Sequence, residues 1–178
     1  GYLDVNSNRI RIDSQPEKHL LIEALFLRAV VEAELTLDKF FWDLLAGKIP
    51  LGSSIQTAVQ FPNEEIAKRI VNAGKYLNWF PAKEISNFTE PYFISGNPFK
   101  GIDPFAHELA IIHKIRNFIA HRSETSLNGL DDCIPKAYRP TDTDDTIARY
   151  LKSPHTTEGT KFEFLLSILR DWVGSVCN

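Results

Sequence analysis

The chain has 178 residues, 43% hydrophobic and 24% charged, with a formal net charge of −3. A chain of that length can bury about 70% of the surface its unfolded form exposes, which suits one domain, and its composition excludes extended disorder. The negative balance excludes a protein that coats nucleic acid by charge alone. Two cysteines, Cys133 and Cys177, cannot form a disulfide framework, so a reduced, cytoplasmic setting is expected. No apolar run approaches the roughly 20 residues of a membrane span, and no signal peptide is visible. Methionine is absent and residue 1 is Gly, which suggests a fragment with a processed start.

Residues 1–13, with Tyr2, Val5, Ile10 and Ile12, suit an extended segment or linker. Ser14-Gln15-Pro16-Glu17 reads as a capping box opening a long helix to Ala46, ended by Gly47 and Pro50. Leu20, Leu21, Ala24, Leu27, Val31, Leu35, Phe41, Leu44 and Leu45 recur on it at helical spacing. Pro62-Asn63 and two acids in the first turn predict a second helix, 64–80, closed by Pro81. Residues 82–88 suit one or two further turns, and 89–103 read as loop. Asp103-Pro104 predicts a helix from 104 to about 125. Residues 126–141 read as loop, 143–152 as a short helix cut by Pro154, and 160–176 as a last helix. With no run of alternating strands, the expected fold is all-α: an up-and-down bundle of four main helices plus short ones, spanning 14–178.

Phe105–Glu124 carries the chemistry. On a helical wheel Phe105, Leu109, Ile112, Ile115 and Ile119 form an apolar stripe, and Arg116 falls inside it. A buried arginine needs a partner or a cavity. The opposite face, Ala106, Ala110, His113, Asn117, Ala120 and His121, is small or neutral, so this helix is expected to be buried on both sides. His113, Asn117 and His121 stand at successive i, i+4 positions. Arg116 and His121, five apart, lie about 140° apart on a straight helix. Two copies of the helix facing each other would bring them together.

Arg116-Asn117-Phe118-Ile119-Ala120-His121 resembles the Arg-x4-6-His motif of the HEPN superfamily, with the polar residue that often follows the arginine. With Asn97-Pro98-Phe99 upstream and Arg122-Ser123 downstream, it looks most similar to the RiboL-PSP branch; Tyr138-Arg139-Pro140 adds a less specific likeness. The resemblance spans about 14–176 in helix order and about 90–125 in motif. It implies a metal-independent endoribonuclease, often a toxin or antiphage effector, working as a homodimer on RNA, with an antitoxin or other protein as a possible partner. Arg116 and His121 would be catalytic, with Asn117, His113, Arg122 and Lys114 supporting them or binding substrate. No cofactor and no metal are implied. The family's nucleotidylated variant carries a Tyr two residues after the histidine, where this chain has Ser123.

The chemistry is coherent. RNA carries its own nucleophile, the 2′-hydroxyl. Histidine can take or give a proton near neutral pH, and arginine supplies charge and a planar fork for phosphate. The alternative is a non-catalytic HEPN interaction module in a larger defence or regulatory protein, with Arg116 in a structural ion pair and His121 at a helix interface. A second Arg–His pair, Arg149 and His155, is interrupted by Pro154 and carries nothing. His113 and His121 lie about 12 Å apart along the axis, too far to share a metal. Asp131-Asp132 and Asp142-Asp144-Asp145 read as loop and helix-start residues rather than ligands. Trp42, Trp79 and Trp172 read as core.

Overall fold

The computed structural model describes residues 15–49, 54–71, 77, 79–80, 82–101, 103–141, 146–156 and 159–177. Their backbone is mostly helical, as the sequence predicts. The chain forms two compact units, Gly1–Ala29 with Lys114–Leu166, and Val30–His113 with Ser167–Asn178. The segment 1–13, Ser14 of the expected capping box, Pro50, Pro81 and the acids 142–145 lie outside the described residues.

Helix α1, Gln15–Leu45, has 31 residues. Gly47, at φ +65°, takes the left-handed position that ends it, and its N–H reaches the Leu44 carbonyl at 3.1 Å. The expected apolar stripe is buried only at its C-terminal end, at Phe41, Leu44 and Leu45. Leu20, Leu21, Ala24, Val31 and Leu35 are exposed, as is Leu25, while Glu23, Phe26, Val30, Ala33, Leu37 and Trp42 are buried. Phe26, Val30, Ala33, Leu37 and Leu44 lie within about 60° of one another around the helix, and that arc is the buried one.

In the unit of Val30–His113 and Ser167–Asn178, the second half of α1 meets β1 (Gln56–Thr57), α2 (Glu64–Val71), α3 (Ala82–Thr89) and β2 (Phe93–Ser95). Phe41 is the hub. Its ring lies 4.8–5.9 Å, centre to centre, from Trp42, Trp79, Phe88, Tyr92 and Phe99. Phe99, fully buried, enters on a 3₁₀ turn at Pro98–Lys100 that Asn97 caps by accepting from the Phe99 N–H at 3.0 Å. The Asn97 amide also donates to the buried Thr89 hydroxyl, which donates to the Ile85 carbonyl. The strands, which the sequence did not predict, pair antiparallel over two positions, Gln56 with Ser95 and Thr57 with Phe93. Gly96, at φ +65°, follows them, and a Cβ there would stand 2.1 Å from the Ser54 carbonyl oxygen. Asn63 caps α2 through the Ile66 N–H, as expected. Of the predicted helix 64–80, the described residues show α2 over Glu64–Val71, while 72–76 and 78 lie outside them. Leu77, Trp79 and Phe80 are all buried without helical backbone.

In the other unit, the first half of α1 meets the end of α4 (Ala106–His121), α5 (Glu124–Asn128), α6 (Ala148–Leu151) and the start of α7 (Lys161–Cys177). Phe26 packs on Phe162 at 6.4 Å, and Leu130, Ile134, Ile147, Leu151 and Leu165 complete the core. Arg139 pins the irregular chain by donating to the Ile134 carbonyl and pairing with Asp131 at 2.7 Å. The helix predicted over 104–125 is shorter: a 3₁₀ turn at Asp103–Phe105 precedes α4, which ends at His121. Arg122 turns to φ +43°, and Ser123 caps α5 in a reciprocal box with Ser126. A serine that can cap a new helix competes with continuing the old one. Of the helix expected over 143–152, the described residues show the single turn α6. There are thus three long helices among the described residues rather than four main ones.

Asp43 and Glu64 hold α1 to α2. Lys48 lies 3.1 Å from Asp43 and 3.2 Å from Glu64, Lys68 lies 2.8 Å from Glu64, and Lys39 also pairs with Asp43. The Lys39 hydrogen bond chiefly lowers the Asp43 pKa, and the Lys68 and Lys48 hydrogen bonds lower that of Glu64. Both carboxylates have folded pKa values below their unfolded ones. Their contribution is complete above the unfolded values, about 4, and is lost as pH falls through the folded ones. Melting temperature should therefore drop as pH is lowered below about 4, and less steeply in Lys48→Met. Parallel pH profiles for the two proteins would contradict this role.

Candidate functional site

The site grows from the C-terminal half of α4. Leu109, Ile112, Ile115 and Phe118 are buried, whereas Ile119, expected in the apolar stripe, and Phe105, in the 3₁₀ turn just before α4, are only half-buried. The buried residues span about 180° of the helix, because each i+3 step drifts about 60°. Arg116 falls within that arc and is half-buried. Lys114, Asn117 and His121 fall outside it, at i, i+3 and i+7, within about 60° of one another. The face expected to be buried on both sides is graded instead. Ala106, Ala110, His113 and Asn117 are half-buried, while Ala120 and His121 are exposed.

Lys114, Asn117 and His121 line an open cleft of about 280 Å³ with Ser123, Thr125, Ser126 and Gly129. Thr125 and Ser126 belong to α5, which begins just past the turn at Arg122, so that turn brings two helices to one cleft. Ser123 Oγ accepts from the Ser126 N–H at 3.2 Å, and the Ser123 N–H donates to Ser126 Oγ at 3.0 Å. Lys114 stands 3.9 Å from exposed Asp132, a pairing that water largely screens.

Asn117 joins this cleft to Arg116. Its Oδ1 accepts from an Arg116 terminal nitrogen at 3.1 Å, and its side chain lines the cleft. Arg116 and His121 thus sit on different sides of one helix with Asn117 between them. His113 stacks on Phe80, ring centres 5.7 Å apart and planes 13° apart. Arg122 donates to the buried carboxylate of Glu23 at 2.5 Å, and the other Glu23 oxygen accepts from the Ile147 N–H at 2.6 Å. Trp42, Trp79 and Trp172 are buried, as expected of core residues. Burial pushes the Cys133 thiol up, away from a reactive thiolate. Among the described residues no group of three His, Cys, Asp or Glu side chains could hold a metal ion, and no helix is long and apolar enough to cross a membrane.

Sequence reasoning missed Ser123, Thr125, Ser126 and Glu23. The first three lay inside or just beyond a helix predicted to run on, although Ser-x-x-Ser after a histidine is itself a capping pattern. Glu23 was visible only as one acid on a helix whose buried face had been misjudged.

Glu23 carries a definite load. Glu23→Ala removes the acceptor of a buried N–H and the partner of a half-buried arginine, and should cost about 3 kcal/mol in denaturant unfolding. Ser123→Ala removes only a cap and should cost about 1 kcal/mol. Equal losses in the two variants would contradict a central role for Glu23.

Comparison with family models, with curated proteins and with solved structures returns no match for this chain.

Proposed function

We propose that this protein is a HEPN-like, metal-independent endoribonuclease, acting as a toxin or antiphage effector. The carrying observation is the His121 cleft. It combines an exposed imidazole, the Lys114 ammonium and the Asn117 amide, with Arg116 hydrogen-bonded to that amide. His121 removes the proton of an RNA 2′-hydroxyl, whose oxygen attacks the adjacent phosphorus. Arg116 and Lys114 offset the charge that gathers on the phosphorane oxygens. A second histidine protonates the leaving 5′-oxygen, and the products are a 2′,3′-cyclic phosphate and a 5′-hydroxyl. A homodimer in which two α4 helices face each other supplies that second histidine. The exposed Ala120 beside His121 permits such an approach. An antitoxin that covers the cleft would hold the enzyme silent.

A second reading, a non-catalytic HEPN-like interaction module, draws support from α1. Leu20, Leu21 and Leu25 are exposed on its first half, 42–54% each. Such a face suits a protein partner.

Cleavage of single-stranded RNA should persist in EDTA and spare the same strand made of DNA. His121→Ala should lower the rate by about 10²–10⁴-fold while leaving the fold intact, since the side chain is exposed. Arg116→Lys keeps the charge and much of the RNA affinity but loses the planar fork, and should cost about 2–4 kcal/mol of transition-state stabilisation. Wild-type protein that binds RNA but leaves it uncut, with His121→Ala indistinguishable from it, favours the interaction module.

A further inference from the structure

A second cleft, of about 210 Å³, shares Ser123 with the first and is lined also by Phe118, Arg122, Glu124, Leu127, Pro140 and Thr141. Its chemistry is different. The His121 cleft has an ammonium and no carboxylate on its wall. Here a carboxylate, Glu124, stands beside a guanidinium whose charge Glu23 already offsets. That balance disfavours a phosphate and favours a neutral, planar, hydrogen-bonding group.

The walls fit such a group. The Arg122 guanidinium carbon lies 5.8 Å from the centre of the Phe118 ring, and Glu23 holds one edge of the guanidinium. Its side chain is still 31% exposed and lines the cleft. Single-stranded RNA bases stack on arginine planes. Leu127 and Pro140 supply apolar contact, and the volume, below the roughly 300 Å³ of the smallest drug-sized pockets, suits a single ring system. Arg122 is also the one non-glycine residue at positive φ among those described. Backbone held in that region persists where the surroundings over-determine it, and such places cluster at ligand clamps.

Glu124 selects among bases. An ionised carboxylate only accepts hydrogen bonds. Guanine alone among the four RNA bases offers two neighbouring donors, N1–H and N2–H, that one carboxylate can take together. We infer that this cleft is a nucleobase subsite that takes guanine next to the phosphate held at His121; the inference deepens the ribonuclease reading and rests on it.

The test uses the full chain and the four nucleoside 5′-monophosphates, titrated by calorimetry and followed by NMR. Guanosine monophosphate should bind about tenfold more tightly than the other three. Glu124→Gln, at an exposed position, should keep the melting temperature and bind all four alike. In RNA of mixed sequence, cuts should fall beside guanosine in wild type and lose that bias in Glu124→Gln. Equal binding of the four nucleotides by wild type, or a guanine preference that survives Glu124→Gln, overturns the subsite. Guanine-selective binding by a chain that cuts no RNA sinks the ribonuclease and leaves the subsite standing as a nucleotide site.

Discussion

The buried carboxylate of Glu23 is the constraint on which the candidate site depends. It is 2% exposed and accepts from two directions, the Arg122 guanidinium and the Ile147 backbone N–H. An ionised group at that depth is tolerated only when paired and hydrogen-bonded. Glu23 therefore fixes what surrounds it. Arg122 is drawn toward α1, its backbone held at positive φ, and α4 stops one residue earlier, at His121. Ser123 then starts α5 in a new direction. Both clefts flank this turn. A helix running on through Thr125 would carry Ser123 and Thr125 around its own surface, and neither cleft would have a second wall.

The other unit is organised by aromatic packing instead. Phe41 and Phe99 each touch several rings, in tilted or edge-to-face arrangements worth about 0.5–1.5 kcal/mol each beyond burial. The Asn97-Pro98-Phe99 segment has a definite physical task here. Asn97 satisfies the backbone of the turn and the Thr89 hydroxyl, proline sets the turn, and phenylalanine fills the core. Residues that looked like a family mark are, in this chain, the plug and lock of an aromatic cluster.

Much of the helical framework was legible because caps and breakers are local. The Gly47 end of α1 and the Asn63 start of α2 follow from one residue each. What was not legible depends on competition between faces. In α1, Leu20, Val31 and Leu35 recur at helical spacing as regularly as Phe26, Val30 and Leu37, and only the second set is buried. Periodicity alone cannot rank them. The same failure hid Glu23, which reads as solvated only if the leucine face is taken as the core. At the site, Lys114, Asn117 and His121 were each named from sequence, and their sharing of one cleft follows from i, i+3, i+7 spacing. The hydroxyl wall opposite them was not, because it depends on a helix break that a distant glutamate stabilises.

The separation of Arg116 from His121 then has a mechanistic consequence. A side chain can lie in the buried arc of a helix and still influence the open face only through a neighbour that reaches both. Asn117 is that neighbour, since its oxygen binds Arg116 and its side chain lines the cleft. An amide fixed at its oxygen by a cation has its orientation set. The motif's three polar residues thus divide the work by angle: a cation anchored near the core, an amide whose orientation it fixes, and an imidazole out in solvent where a substrate can meet it. Arg116 in this position serves the cleft by orienting Asn117 within one copy. In the proposed ribonuclease, contact of its guanidinium with a phosphate in the His121 cleft falls to a second copy of the chain, because Arg116 and the cleft lie on different sides of α4.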